Sequence, residues 1–303
     1  MLKKILLTTI LFLNIGYTKD NIVVYNAYGN NHQLTIQGRM QKKREFKEVS
    51  KDDGVLRNLY RRVKQIKNDE IKNKTIYLHL KNETFKTKGD DEGYFEFNIK
   101  TEQSLPMGYH KILLNIEGNK NIHETNATII DSTPLIGIIS DFDDTIIVSN
   151  VTNKISLGIN TMFKNYKQRT LIPTMLERFK KILSQNPKAI PSTLFILSGS
   201  PQHLFRPIEQ FLEYHHFPKH TLILKKAHGE NLDPLTDQFA YKSQKIERLI
   251  KLYPNIKWVM FGDSGEKDRE VYRAIKEKYP KRVLEYYIRD VESGEINSTD
   301  SVY

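Results

Sequence analysis

The stretch PLIGIISDFDDT, Pro134 to Thr145, decides how the rest of the chain is read. PLIGIIS is a near-continuous apolar run, the pattern of a strand whose two faces are both covered. Asp141, Asp143 and Asp144 follow at once. Carboxylates this close repel and shift one another's protonation, so such an arrangement persists where a cation or a reaction uses it.

Similar runs recur C-terminally at TLFILS (Thr193 to Ser198), TLILK (Thr221 to Lys225), KWVMFG (Lys257 to Gly262) and RVLEYYI (Arg282 to Ile288). Between them, apolar residues fall at helical spacing: Ile172, Met175, Leu176, Phe179, Ile182 and Leu183, then Ile208, Phe211 and Leu212, then Ile246, Leu249 and Ile250, then Val271, Tyr272 and Ile275. Alternating strands and helices predict a doubly wound α/β domain over residues 132–303.

Upstream the rhythm is different. IVVYNAYG (Ile22 to Gly29), HQLTIQGRM (His32 to Met40), TIYLHL (Thr75 to Leu80), GYFEFNI (Gly93 to Ile99) and HKILLNIE (His110 to Glu117) alternate apolar and polar residues between turn-forming clusters. Residues 20–131 are therefore expected to form an antiparallel β-sandwich domain. Within it VLRNLYRRVKQIK predicts a basic amphipathic helix, with Leu56, Leu59, Tyr60, Val63 and Ile66 on the apolar face. Such a helix covers a sheet or lies on an anionic membrane.

Lys3 and Lys4 precede an apolar stretch from Ile5 to Ile15, too short for a span of about 20 residues and fitting a signal peptide over residues 1–19. Export to the periplasm or medium is the expectation, with an uncleaved N-terminal membrane anchor as the alternative. The chain has no cysteine, which excludes disulfides, thiolate metal ligands, a lipoprotein anchor and a Cys nucleophile. Its 303 residues carry 47 Lys and Arg against 36 Asp and Glu, a net charge of +11 that favours anionic partners. The basic residues are dispersed and no recognition module appears, so no nucleic-acid partner is expected.

Ligands of doubly wound sheets bind beyond the carboxyl ends of the strands. There the chain places Asp141, Asp143 and Thr145, then Ser198-Gly199-Ser200, then Gly262, Asp263 and Asp268, while Lys242 precedes the helix leading to the fourth strand. Asp141, Asp143, Asp263 and Asp268 are hard oxygen donors, suited to Mg²⁺ rather than Zn²⁺. Mg²⁺ bridges carboxylates to phosphate, so a phosphoryl substrate is the complement. The histidines His203, His215, His216, His220 and His228 form no convincing ligand set.

Asp-x-Asp-x-Thr, the Ser after the second strand, the later Lys and Gly-Asp-x-x-x-x-Asp resemble, in order, the four motifs of the haloacid-dehalogenase-like (HAD) phosphatases. ISDFDDTI, SGSPQHL, YKSQKIERLI and FGDSGEKDREVY, with VYNAYGN and QGRM near the N-terminus, are similar to the App1-type phosphatidate phosphatase family. The likeness covers residues 22 to about 290. It implies a Rossmann-like HAD parallel-sheet domain and cleavage of phosphatidate to diacylglycerol and phosphate through an aspartyl-phosphate intermediate. Asp141 would be the nucleophile and a Mg²⁺ ligand. Asp143 would be the acid and base, lending its backbone carbonyl to the metal. Thr145 would support the loop, Ser198 and Lys242 would hold the phosphoryl group, Asp263 would bind the metal, and Asp268 would bind it or brace it. The implied partner is an anionic phospholipid at a membrane surface. A broader phosphomonoesterase and an inactive exported lipid-binding module are the competing readings.

Overall fold

The computed structural model describes residues 20–42, 49–58, 60, 70–131, 133–148, 164–188, 190–226 and 238–298. Strands β1 (Asp20–Gly29), β2 (Gln33–Lys42), β3 (Thr75–Leu80), β4 (Glu83–Lys88), β5 (Tyr94–Lys100), β6 (Gly108–Ile116) and β7 (His123–Ile129) hydrogen-bond in the order β4-β3-β6-β7-β1-β2-β5. All neighbours are antiparallel except β1 and β7, which run parallel and touch through Tyr28–Thr128 and Gly29–Ile129 alone. Alternation turns Leu34, Ile36, Ile76, Leu78, Phe95, Phe97, Ile112, Leu114 and Ile129 into one shared core. The two separate sheets expected from the sequence are thus a single sheet in hydrogen-bonding terms, because that short pairing joins its two halves. β4 and β7 escaped the sequence reading. β4, ETFKTK, is a lysine-bearing edge strand with little to bury, and β7 buries only Ala127 and Ile129.

The amphipathic segment folds otherwise than its periodicity predicts. Residues 55–58 are helical, but Leu56 and Tyr60 are 81% and 67% exposed while Asn58 is buried. The Asn58 amide is drawn inward by hydrogen bonds to the Asn165 and Gln168 side chains. Residues 61–69, which hold the rest of the predicted face, lie outside the described residues, as do residues 1–19 with the expected leader. Among the described residues no helix is long and apolar enough to cross a membrane.

The second sheet contains β8 (Leu135–Ser140), β11 (Leu194–Pro201), β12 (Thr221–Lys225), β13 (Ile256–Asp263), β14 (Val283–Arg289) and β15 (Ile296–Ser298), ordered β12-β11-β8-β13-β14-β15. The first five strands are parallel and only β15 is antiparallel. A two-stranded ribbon, β9 (Ile147–Val148) with β10 (Thr170–Leu171), follows β8. Helices α1 (Pro173–Leu183) and α2 (Phe205–Tyr214) cover one face through Met175, Phe179, Ile208, Phe211 and Leu212. Helices α3 (Gln238–Leu252) and α4 (Asp268–Lys278) cover the other through Ile246, Leu249, Ile250, Val271, Tyr272 and Ile275. Successive strand residues serve opposite faces, as Ile138 and Ile139 do, which explains the continuous apolar runs. The molecule is a mixed α/β protein.

The two sheet systems share apolar and polar contacts. Tyr28 packs edge-on against Phe195 at 5.8 Å and belongs to the second core. Tyr253 donates through its hydroxyl to the Gly29 carbonyl, and Asn30 donates to the Leu252 carbonyl. Asn26 donates to the Leu222 carbonyl and Arg248 to the Thr35 hydroxyl.

Candidate active site

β8 lies at the centre of its sheet between β11 and β13, so its carboxyl end opens between theirs. The Asp141 amide continues the ladder by donating to the Phe261 carbonyl at 2.8 Å. Phe142 is buried against Phe211, which leaves Asp141 and Asp143 free of the apolar core. Asp144 turns the chain with a left-handed φ of 54°, a conformation Asp tolerates better than most residues. Its carbonyl accepts from Arg289 Nη1 at 3.0 Å, so the turn is held by its backbone.

α3 delivers Lys242 into the strand ends, with almost none of its surface exposed. Its Nζ lies 2.9 Å from Asp141 Oδ1, 3.0 Å from Glu266 Oε2 and 2.5 Å from Asp268 Oδ1. Lys245, three residues further along α3, instead places its ammonium near the Tyr241 ring. Asp268 opens α4, and its Oδ2 accepts from the Asp263 amide. A side chain at Gly262 would place its Cβ 2.4 Å from Asp268 Oδ2, which is why this motif needs glycine. Asp263 Oδ1 accepts from the Gly265 and Glu266 amides, closing a tight turn.

Three carboxylates, Asp141, Glu266 and Asp268, thus surround one ammonium, and Asp263 offers an oxygen within 4.8 Å of those of Asp141 and Asp268. Burial, only partly opposed by Lys242, holds Asp141 well above the usual carboxylate range, and Asp268, Glu266 and Asp263 add to the rise. Burial, Asp268 and Glu266 push Asp263 up to about 8, and burial raises Asp268 as well. Burial alone would lower Lys242, but Asp141, Asp268 and Glu266 hold it well above its ordinary value.

The donor set fits a hard divalent cation. Asp141 Oδ2 and Asp263 Oδ2 are buried without a hydrogen-bond partner. Asp141, Asp263 and Asp268 can each present an oxygen within 4.8 Å of the others. A cation there would answer the orphaned oxygens and the excess negative charge together. Both Asp268 oxygens are already engaged, by Lys242 and by the Asp263 amide, so its visible work is to brace those two groups.

Asp143 points elsewhere. Its Oδ2 accepts from the Ser200 hydroxyl at 2.9 Å, and its Oδ1 lies 3.4 Å from Arg169 Nη2. Its carboxyl is raised, with burial as the main cause, against the lowering effects of Arg169 and Ser200. The nearby charges of Glu266 and Asp144 add to the rise. Ser198 Oγ accepts from the Ser200 amide within the last residues of β11, where the register with β12 shifts. Thr145 is buried with its hydroxyl unpartnered, so the side-chain bond expected to support the loop is not made.

Asp141, Lys242, Asp263 and Asp268 are therefore brought together, with Asp143 and Ser198 at the flanking strand ends. Sequence reasoning missed Glu266, Ser200 and Arg169 as site residues. Glu266 and Ser200 lie inside the motif segments, each two residues from a predicted position, a usable signal. Arg169 lies in no motif.

Residues 136–290 match the model of the family described as "Phosphatidate phosphatase APP1, catalytic domain". Phosphatidate phosphatase APP1 of Saccharomyces cerevisiae is 29% identical over 214 residues, covering 69% of this chain and 36% of the yeast protein. An uncharacterized protein of Schizosaccharomyces pombe is 27% identical over 160 residues, covering 52% of this chain and 26% of its own length. The chain thus spans about a third of the length of these relatives. A carbohydrate acetylesterase of Xanthomonas citri superposes over 89% of this chain and 68% of its own, but with a TM-score of 0.31 and 9% identity it establishes no common fold. The match over the catalytic segment, which carries every residue of the Asp141–Lys242–Asp263–Asp268 cluster, decides the relationship: this chain belongs to the App1-type phosphatidate phosphatase family.

Proposed function

We propose that the protein is a Mg²⁺-dependent phosphatidate phosphatase that releases diacylglycerol and phosphate through a phosphorylated Asp141. The observation that carries this reading is the buried Asp141 carboxylate, held by Lys242 at 2.9 Å and facing Asp263 with an unpartnered oxygen on each. Asp141, Asp263 and the backbone carbonyl of Asp143 would hold the metal, which when bound neutralises charge on the transferring phosphoryl group.

The Asp141 carboxylate attacks phosphorus, and the bond from phosphorus to the glyceride oxygen breaks. Asp143 gives its proton to that departing oxygen; its burial favours the protonated form that this needs. Water then attacks the phosphorus of the acyl phosphate while Asp143 takes its proton, the bond to Asp141 breaks, and phosphate leaves. Lys242 offsets charge on Asp141 throughout, and Ser198 stands ready to donate to a phosphoryl oxygen.

A lipid substrate agrees with the surface as well as the family. Val55, Leu56 and Tyr60 are exposed apolar residues on a helix whose Asn58 contacts Gln168, the neighbour of Arg169 in the site. With a net charge of +11, that edge suits an anionic phospholipid surface reached after export.

Phosphate release from phosphatidate in mixed micelles, with Mg²⁺ or with EDTA, tests the reading. Activity that needs metal and vanishes in Asp141→Asn is expected. A folded, Mg²⁺-loaded wild type that releases no phosphate would overturn the assignment.

A further inference from the structure

We infer that Arg169 is a positioning residue for Asp143, and that residues 50–58, between β2 and β3 in the chain, hold it there, so that a segment outside the parallel-sheet domain completes the catalytic site. The inference rests on the role proposed above for Asp143 as acid and base.

The contacts form one continuous path. Arg169 has a side chain only 8% exposed and lies 3.4 Å from Asp143 Oδ1, while Ser200 donates to Oδ2 at 2.9 Å. With one oxygen engaged by Ser200 of β11 and the other by Arg169, which precedes β10, the Asp143 carboxyl is held in one orientation. The guanidinium also lies 5.7 Å over the Phe142 ring, inside the same loop.

Arg169 follows a single 3₁₀ turn, Tyr166–Gln168, that is too short to hold its place alone. Asn165 and Gln168 cap that turn reciprocally. The same two side chains are gripped from residues 50–58. Asn165 donates to the Ser50 carbonyl at 2.7 Å and to Asn58 Oδ1. Gln168 donates to the Lys51 carbonyl at 2.7 Å and the Asp53 carbonyl at 2.9 Å, and accepts from Asn58 at 2.8 Å. On the far side, β10 pairs with β9, which tethers Arg169 to the loop that carries Asp143. A buried ion pair with purely structural duties gains little over apolar packing, whereas a fixed cation beside the acid orients it at every turnover.

Leaving-group dependence distinguishes positioning from general support. The glyceride alkoxide of phosphatidate must be protonated to leave; p-nitrophenolate needs no such help. Phosphate release from both substrates is to be measured for wild type, Asp143→Asn, Arg169→Met, Arg169→Lys, Arg169→Ala and Asn58→Ala, each shown to be folded by thermal unfolding. Arg169→Met is expected to lower kcat/KM about 100-fold on phosphatidate, within the usual range for general-acid catalysis, and several-fold at most on p-nitrophenyl phosphate, because kcat/KM ends at phosphorylation of Asp141 and leaves out the later step, common to both substrates, in which Asp143 takes the proton of water. Arg169→Lys recovers part of the loss, guanidinium ion added to Arg169→Ala recovers part, and Asn58→Ala shows a weaker loss with the same substrate preference. Equal losses of kcat/KM on both substrates in Arg169→Met, beside a selective loss of kcat/KM in Asp143→Asn, would overturn the inference alone. No selectivity in Asp143→Asn, or no release by the wild type from either substrate, would sink the underlying reading and this inference with it.

Discussion

Lys242 Nζ and Asp268 Oδ1 lie 2.5 Å apart with neither side chain exposed, so the ammonium of the site is anchored to α4, the helix that follows β13. Asp268 thereby fixes where Lys242 meets Asp141, and the two charges stand or fall together.

Replacing Lys242 with Met leaves Asp141, Glu266 and Asp268 without their shared cation. Breaking a buried ion pair from one side costs about 3 kcal/mol, and loss of the charge that faces the phosphoryl group costs about 100-fold in kcat. Denaturant unfolding of the metal-free protein and phosphate-release kinetics measure the two effects. A variant with wild-type activity would remove Lys242 from the mechanism.

The metal-free protein should lose stability as pH rises. Asp263 stands at about 8 in the folded protein against an ordinary 3.8, so its protonated form favours the fold. That contribution is complete below an ordinary carboxylate pKa and disappears as pH climbs through about 8. A bound cation must displace these protons, so added Mg²⁺ should raise Tm more at alkaline than at mildly acidic pH. Equal increments at both would argue against Asp263 as a ligand.

Gly262→Ala inserts a Cβ at 2.4 Å from Asp268 Oδ2 and 2.5 Å from its Cβ. Overpacking of this kind costs about 1–3 kcal/mol, and displacing Asp268 moves Lys242 with it. Activity should fall about tenfold or more, because small misplacements near reacting groups are costly. Kinetics alongside thermal unfolding separate the two losses; unchanged values of both would mean the turn relaxes freely.

Tyr28→Ala removes an aromatic side chain shared between the two sheet systems, at an expected cost of about 3 kcal/mol. Trp258, the single tryptophan, sits in the same cluster and reports the transition by fluorescence. The wild type should unfold in one step; two separated transitions would show the units to be independent.

The catalytic strands were legible because each is covered on both faces and carries an apolar run that survives any local context. The candidate motifs were legible for a related reason: Asp141, Ser198 and Asp263 follow directly on strand residues, so their place at the carboxyl ends depends on the chain alone. Lys242 was named from its place in the motif order; that it reaches Asp141 while Lys245 reaches the Tyr241 ring is a property of how α3 is set on the sheet.

What local pattern could not supply was every relationship between distant segments. The apolar periodicity of residues 55–66 left a sheet or a membrane surface as the setting of this helix and could not show that Asn58 turns inward, where Asn165 and Gln168 offer its amide partners 107 and 110 residues away. Arg169 carries no motif, and only the pairing of β9 with β10 and the grip of residues 50–58 bring it to Asp143. Hydrophobic periodicity and strand-end chemistry are properties of short stretches, so the chain declares them; hydrogen bonds between remote polar side chains exist only once the fold has brought their partners together.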